Sequence, residues 1–171
     1  MLVVVVGSTF HGQIAPPPEE KTPVRAVPHV RSDPSAALAS VRARAAKLPF
    51  RAMVPGIVET TSRLSTMQGA RMYYVEGRQK ALRLTFVTGA DEYWGIEQSD
   101  WADAPILAKP SQTQKLKDGR TYDLYYNGSH LHMVVLRGKG TARYWVVNTL
   151  LDTLSNETMI AIAKGLHPLG K

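Results

Sequence analysis

The chain has no cysteine among its 171 residues, which excludes disulfides, thiolate metal sites and cysteine nucleophiles but assigns no compartment. It has no apolar run approaching the ~18–20 residues that span a bilayer, so the segment is expected to insert in no membrane. The opening Met1-Leu2-Val3-Val4-Val5-Val6 is cut off by Gly7-Ser8-Thr9 and has no basic stretch before it, unlike a signal peptide or an anchor. There is no Gly-x-Ser-x-Gly elbow and no phosphate-cradling glycine loop, since Gly138-Lys139-Gly140 sits in a hairpin turn between apolar strands. A dense basic block is also missing. The formal net charge of +7 is dispersed, with six Lys/Arg against three Asp/Glu in residues 1–50 and fifteen against eleven in the remainder. That balance implies a mild attraction to anionic polymers or surfaces and no nucleic-acid interface.

With 44% apolar and 20% charged residues, the chain can bury the core of one globular domain. Residues 1–12 read as a β-branched strand left over from a preceding domain. Residues 13–33 are a proline-rich, semi-rigid linker, in which almost nothing large and apolar is available to bury. Residues 34–169 form a single α+β domain. Asp33-Pro34 places a capping carboxylate before a proline, and Leu38, Val41, Ala45 and Leu48 recur at helical spacing, predicting a helix of about 13 residues stopped by Pro49.

The pattern then changes to short strands separated by turns. Strands are predicted over Arg71–Val75, Ala81–Val87, Glu92–Gln98, Gln112–Leu116, Tyr122–Tyr126, His130–Leu136 and Ala142–Leu150. Glu76-Gly77-Arg78, Asp118-Gly119 and Asn127-Gly128 supply hairpin turns. Consecutive strands should pair as an antiparallel meander of about six to seven strands, packed by the N-terminal helix and a C-terminal one. The second helix is the best specified: Ser155 caps it, Glu157 favours its dipole, Leu154 staples to Met159, and Gly165 with Pro168 end it.

Chemistry is scarce. His130 and His132 share a strand face, but no third ligand has a signature, so no metal is expected, and no cofactor either. Asp91, Glu92, Glu97, Asp100 and Asp103 gather around Tyr93-Trp94-Gly95 and Trp101. Two of these acids facing each other across a pocket at ~5–9.5 Å would mark a glycosidase-like site. No residue is assigned a catalytic role. Aromatics alternate within the strands, so some must face outward, and Tyr93, Trp94, Trp101, Tyr125 and Trp145 are the candidates for a ligand platform.

Several segments together carry a resemblance: Glu92–Gln98, Asp100-Trp101, Ala104–Leu107, Asp118–Tyr122, Tyr144–Leu150 and Leu154–Met159. The set resembles the C-terminal extracytoplasmic region of LytR-CpsA-Psr family proteins of some actinobacteria, over roughly Pro49 to Leu169. The resemblance implies a cell-envelope accessory domain that follows a catalytic domain transferring glycopolymers from polyprenyl-pyrophosphate carriers, with cell-wall glycopolymer or peptidoglycan as partner. The arginine- and aspartate-rich catalytic motifs of that family have no counterpart here. A lesser likeness, of Tyr144–Val146 leading to Ile160–Ala163, is to anti-sigma and lipoprotein-carrier-like domains. It implies a sensory or protein-interaction domain, for which an apolar groove beside the last helix would speak.

Overall fold

Backbone pairing starts earlier than the proline-rich sequence suggests. The computed structural model describes residues 27–75, 79–149 and 151–170, and β1 (Val30–Ser32) lies at the end of the segment read as linker. The expected N-terminal strand, the linker up to residue 26 and the Glu76-Gly77-Arg78 turn lie outside the described residues. After β1 come α1 (Leu38–Ala45), β2 (Met53–Pro55), β3 (Ile57–Glu59), β4 (Arg63–Leu64), β5 (Ala70–Val75), β6 (Gln79–Val87) and β7 (Tyr93–Ser99). A 3-10 turn at Pro105–Leu107 follows, then β8 (Gln112–Lys115), β9 (Thr121–Asn127), β10 (His130–Arg137), β11 (Arg143–Val147), α2 (Asn156–Lys164) and β12 (Leu166–Pro168). The α+β class holds, with more and shorter strands than predicted.

The main sheet has eight strands, all antiparallel, in the order β4-β6-β7-β11-β10-β9-β8, with β5 also paired to β6. It is not one continuous meander. The chain leaves β7 through residues 100–111, runs β8-β9-β10-β11 as a second meander, and returns so that β11 lies beside β7, pairing Trp145 with Glu97 and Tyr144 with Gln98. Two small sheets, β1-β3 and β2-β12, sit beside it. Their strands are three residues long, too short to show an alternating pattern in sequence.

One face of the main sheet carries Leu82, Leu84, Phe86, Trp94, Ile96, Leu124, Val134, Tyr144 and Val146 into the principal core, together with Val41 of α1 and Met159 and Ile162 of α2. Phe86 and Trp94 are register partners whose rings stack 4.3 Å apart at 8°, an arrangement worth about 1 kcal/mol beyond burial alone. Among the described residues no helix is long and apolar enough to cross a membrane.

The two helices differ in how far their sequence signals hold. In α2, Ser155 Oγ accepts from the Thr158 amide as predicted. Its end is decided by packing: Gly165 keeps a right-handed φ of −77°, but a β-carbon there would lie 3.0 Å from Ile57 side-chain carbons. In α1, Asp33 does not act as the cap. Its carboxylate is taken by Arg31 and by Ser35 Oγ, residues 34–37 form a turn, and the helix starts at Leu38 without a side-chain cap. The helix is therefore eight residues long.

Three side-chain amides tie the peripheral segments to the sheet. Gln98 is fully buried, accepting from Met53 N–H at 2.8 Å and donating to Met53 C=O at 2.9 Å, so it fixes β2. Asn148 clasps both backbone groups of Leu154 at 2.8 and 3.0 Å, just before α2. Asn156 accepts from Leu131 N–H and donates to Ser129 C=O, docking the start of α2 on the β9–β10 turn.

Candidate functional site

Strand alternation sends Ala81, Arg83, Thr85, Glu97, Ser99, Val135, Trp145 and Val147 to the face opposite the principal core. The excursion between β7 and β8 folds back over part of this face. Its 3-10 turn is anchored where the Tyr125 hydroxyl donates to Leu107 C=O at 2.7 Å, and Leu107 packs on a small cluster of Met133, Val135 and Trp145. Beside this covered patch a groove of about 420 Å³ remains open. It is lined by Trp101, Pro105 and Ile106 from the excursion, Tyr73 of β5, Arg83 of β6, Glu97 of β7 and Trp145 of β11, among others. Ile106 is 61% exposed and Tyr73 38%, so the rim offers apolar and aromatic surface to solvent.

Glu97 distinguishes this groove from a packing defect. Its residue is only 7% exposed, and among the described residues no donor bonds its carboxylate. The nearest cation, Arg83 Nε, stands at 3.9 Å on a half-exposed side chain, where solvent screens it. Desolvation therefore dominates and pushes the Glu97 carboxyl up to about 8. Asp123, on the same face and 6% exposed, shows the opposite outcome. Burial raises it too, but bonds from Arg137 at 2.6 and 2.7 Å and from Thr113 at 2.6 Å outweigh that and hold it below its ordinary value. Asp123 is a structural ion pair, whereas Glu97 is a largely buried acid with one distant cation and some contact with solvent left at the groove, the kind of group that can face a ligand.

No family model, curated protein or solved structure matches the chain.

Of the five predicted platform residues, Trp101 and Trp145 line the groove. Trp94 does not: it is 1% exposed on the core face, its Nε1 donating to Ser62 Oγ at 2.8 Å, and has no ring face left for a ligand. Tyr125 is spent on holding the 3-10 turn. Tyr93 is exposed at the far end of β7, paired with Val87, away from the groove. Sequence reasoning missed Arg83 and Ile106, did not single out Tyr73 from the strand aromatics, and placed Glu97 only in the acidic cluster. The available signal was parity: Glu97 shares a strand face with Gly95 and Ser99 between the buried Ile96 and Gln98.

The acidic cluster itself is scattered. Glu97 alone of the five lines the groove, Asp100 lines a separate cleft, and Glu92 lines a depression with His29 and Ser155 at the start of α2. No two of these acids face each other across one pocket, so the two-carboxylate expectation is not met. The depression beside α2 is lined by residues of polar type, among them Glu59, Thr61 and Thr88, but the surface they and Ala90 and Leu154 present is more apolar than polar. Among the described residues no group of three or more His, Asp or Glu side chains could hold a metal ion.

Proposed function

We propose that the chain is a non-catalytic, extracytoplasmic accessory domain of a cell-envelope protein of LytR-CpsA-Psr type, and that its groove holds a saccharide stretch of cell-wall glycopolymer or peptidoglycan. The observation that carries this reading is the meeting, in one groove, of the Trp101 and Tyr73 rings, an edge of the largely buried Trp145 and the half-sealed carboxyl of Glu97. Indole and phenol faces pack on the apolar face of a pyranose ring, while a carboxyl beside them exchanges hydrogen bonds with its hydroxyls. A neutral Glu97 presents both a donor and an acceptor, matching a ring that carries both.

The resemblance adds a second support. Seven groove residues (Glu97, Trp101, Ala104, Pro105, Ile106, Trp145 and Val147) fall within the segments that carry the likeness to the envelope family. A lone carboxylate with no second acid opposite it also fits holding a sugar better than cleaving one.

Purified insoluble peptidoglycan should retain the chain in a sedimentation assay. Trp101→Ala should reduce retention by at least about tenfold, the loss expected for an aromatic anchor at a binding site. Tyr73→Ala, at an exposed rim position that leaves the core untouched, should weaken it in the same direction. Failure of the wild-type chain to sediment, or retention unaffected by both substitutions, would contradict the proposal.

A further inference from the structure

The two edges of the main sheet are finished differently. β8 closes one of them with four residues, Gln112–Lys115, all polar and ending in a lysine, the kind of edge that discourages further pairing. β5 closes most of the other. It is six residues long, lies end to end with β4 along β6, and carries Tyr73 and Tyr74 exposed on its two faces. Among the described residues β5 pairs with β6 alone.

The register shows which backbone groups are left over. Thr85 N–H donates to Gly69 C=O at 2.9 Å, so alternation along the antiparallel pair turns the backbone groups of Arg71, Tyr73 and Val75 towards β6. Those of Ala70, Met72 and Tyr74 point away from it, and among the described residues no strand meets them. They are spaced to pair with one more strand.

Charge narrows what that strand is. β4, β5 and β6 carry Arg63, Arg71, Lys80 and Arg83 and not one acid. Arg71 and Arg83 are register partners, so two cations stand directly opposite each other on the groove face, an arrangement that costs stability. Glu97 lies 3.9 Å from Arg83, and among the described residues Arg71 has no carboxylate partner. On a strand added beyond β5, the residue opposite Arg71 flanks it from its other side, and a carboxylate there offsets the arginine pair. A second copy of β5 cannot supply one, because Ala70–Val75 contains no acid. Opposite Tyr73 and Tyr74, β-branched or aromatic residues pack best.

We infer that β5 is a docking edge, completed by an extended segment of a partner protein that continues the antiparallel sheet and sets an aspartate or glutamate opposite Arg71, among apolar residues. Main-chain bonds to Ala70, Met72 and Tyr74 hold the segment, and the acid fixes its register. This docking goes beyond the saccharide reading of the groove and does not depend on it.

The test is NMR-detected amide hydrogen exchange on the full chain with two capped heptapeptides, Thr-Val-Tyr-Val-Glu-Val-Thr and the same sequence with lysine in place of glutamate. In the free chain the Met72 and Tyr74 amides should exchange fast, while those of Arg71 and Tyr73, bonded to β6, stay protected. The glutamate peptide at about 1 mM should slow the first pair by at least about threefold. It should bind about fivefold more tightly than the lysine peptide, a gap that added salt narrows. Arg71→Glu should reverse the preference and make the lysine peptide the tighter one, an exchange that misfolding cannot produce. Protection of Met72 and Tyr74 in the free chain would mark the edge as already filled, by the chain itself or by a second copy, and would overturn the inference. So would no protection by the glutamate peptide, equal binding of the two peptides, or a preference unchanged in Arg71→Glu. Trp101→Ala should leave all of these results as they are, which separates failure of the edge from failure of the groove.

Discussion

Glu97→Gln is expected to make the chain more stable in alkaline solution and to leave it nearly unchanged in acid. The carboxyl titrates near 8 in the folded chain against an ordinary 4.5, so between those values the folded state holds a proton that the unfolded state has released. Native stability therefore falls as pH rises through that window. The loss is absent below about pH 4.5 and complete above about pH 8. At about 1.4 kcal/mol per unit, it reaches an upper limit near 5 kcal/mol, from which relaxation and the Arg83 charge subtract. Glutamine has no proton to lose, so the variant's urea midpoint should stay level across this range while the wild type's declines from pH 5 to pH 9. Parallel curves for the two proteins would show that Glu97 ionises normally in the fold. A glutamate that costs stability at neutral pH and is nonetheless buried makes sense at a binding groove and not as part of a scaffold.

Gln98→Ala should be the most damaging single substitution among the amide clasps. It removes both partners of Met53 in a site with no solvent access, stranding a buried N–H and a buried C=O at once. Each stranded group costs about 1–3 kcal/mol, so a loss of about 4 kcal/mol and a fall in melting temperature on the order of 10 °C are expected. Calorimetry is the direct check, and a change below about 1 kcal/mol would mean that β2 does not depend on this contact. Because β2 pairs with β12 and its Met53 and Val54 lie in the principal core, the same variant should leave the aromatic groove on the opposite face of the sheet intact.

What was legible in the sequence follows from how local each cause is. The cap of α2 depends on Ser155 and Thr158, three residues apart, and was visible. So were the seven longer strands, whose alternation or turn residues lie within a few positions of one another. Asp33 carried the same kind of capping signal but was diverted by Arg31, whose position is set when β1 pairs with β3. The return of β11 to β7 joins residues some fifty positions apart, and nothing in either strand announces it.

The candidate site was half legible for the same reason. Alternation separates Trp94 from Trp145 onto opposite faces, but only the crossover shows which face is sealed by helices and which is left partly open. In β7 the side carrying Gly95, Glu97 and Ser99 is as buried as the side carrying Trp94, Ile96 and Gln98, so the parity of its residues separates the two sides without saying which one lies open. Glu97 looked like one acid among five until the fold placed it alone of the five in the lining of the groove.

The central claim is that a saccharide meets Glu97 in the groove, and the sharpest measurement is the titration of the Glu97 side-chain carboxyl by carbon-13 NMR, with and without soluble peptidoglycan fragments. The account predicts a midpoint near 8 in the free protein. It predicts a further upward move when the fragments bind, since a sugar covering the groove removes the remaining water and bonds the neutral acid. A midpoint in the ordinary carboxylate range, or one that fragments leave unmoved at saturation, would contradict it.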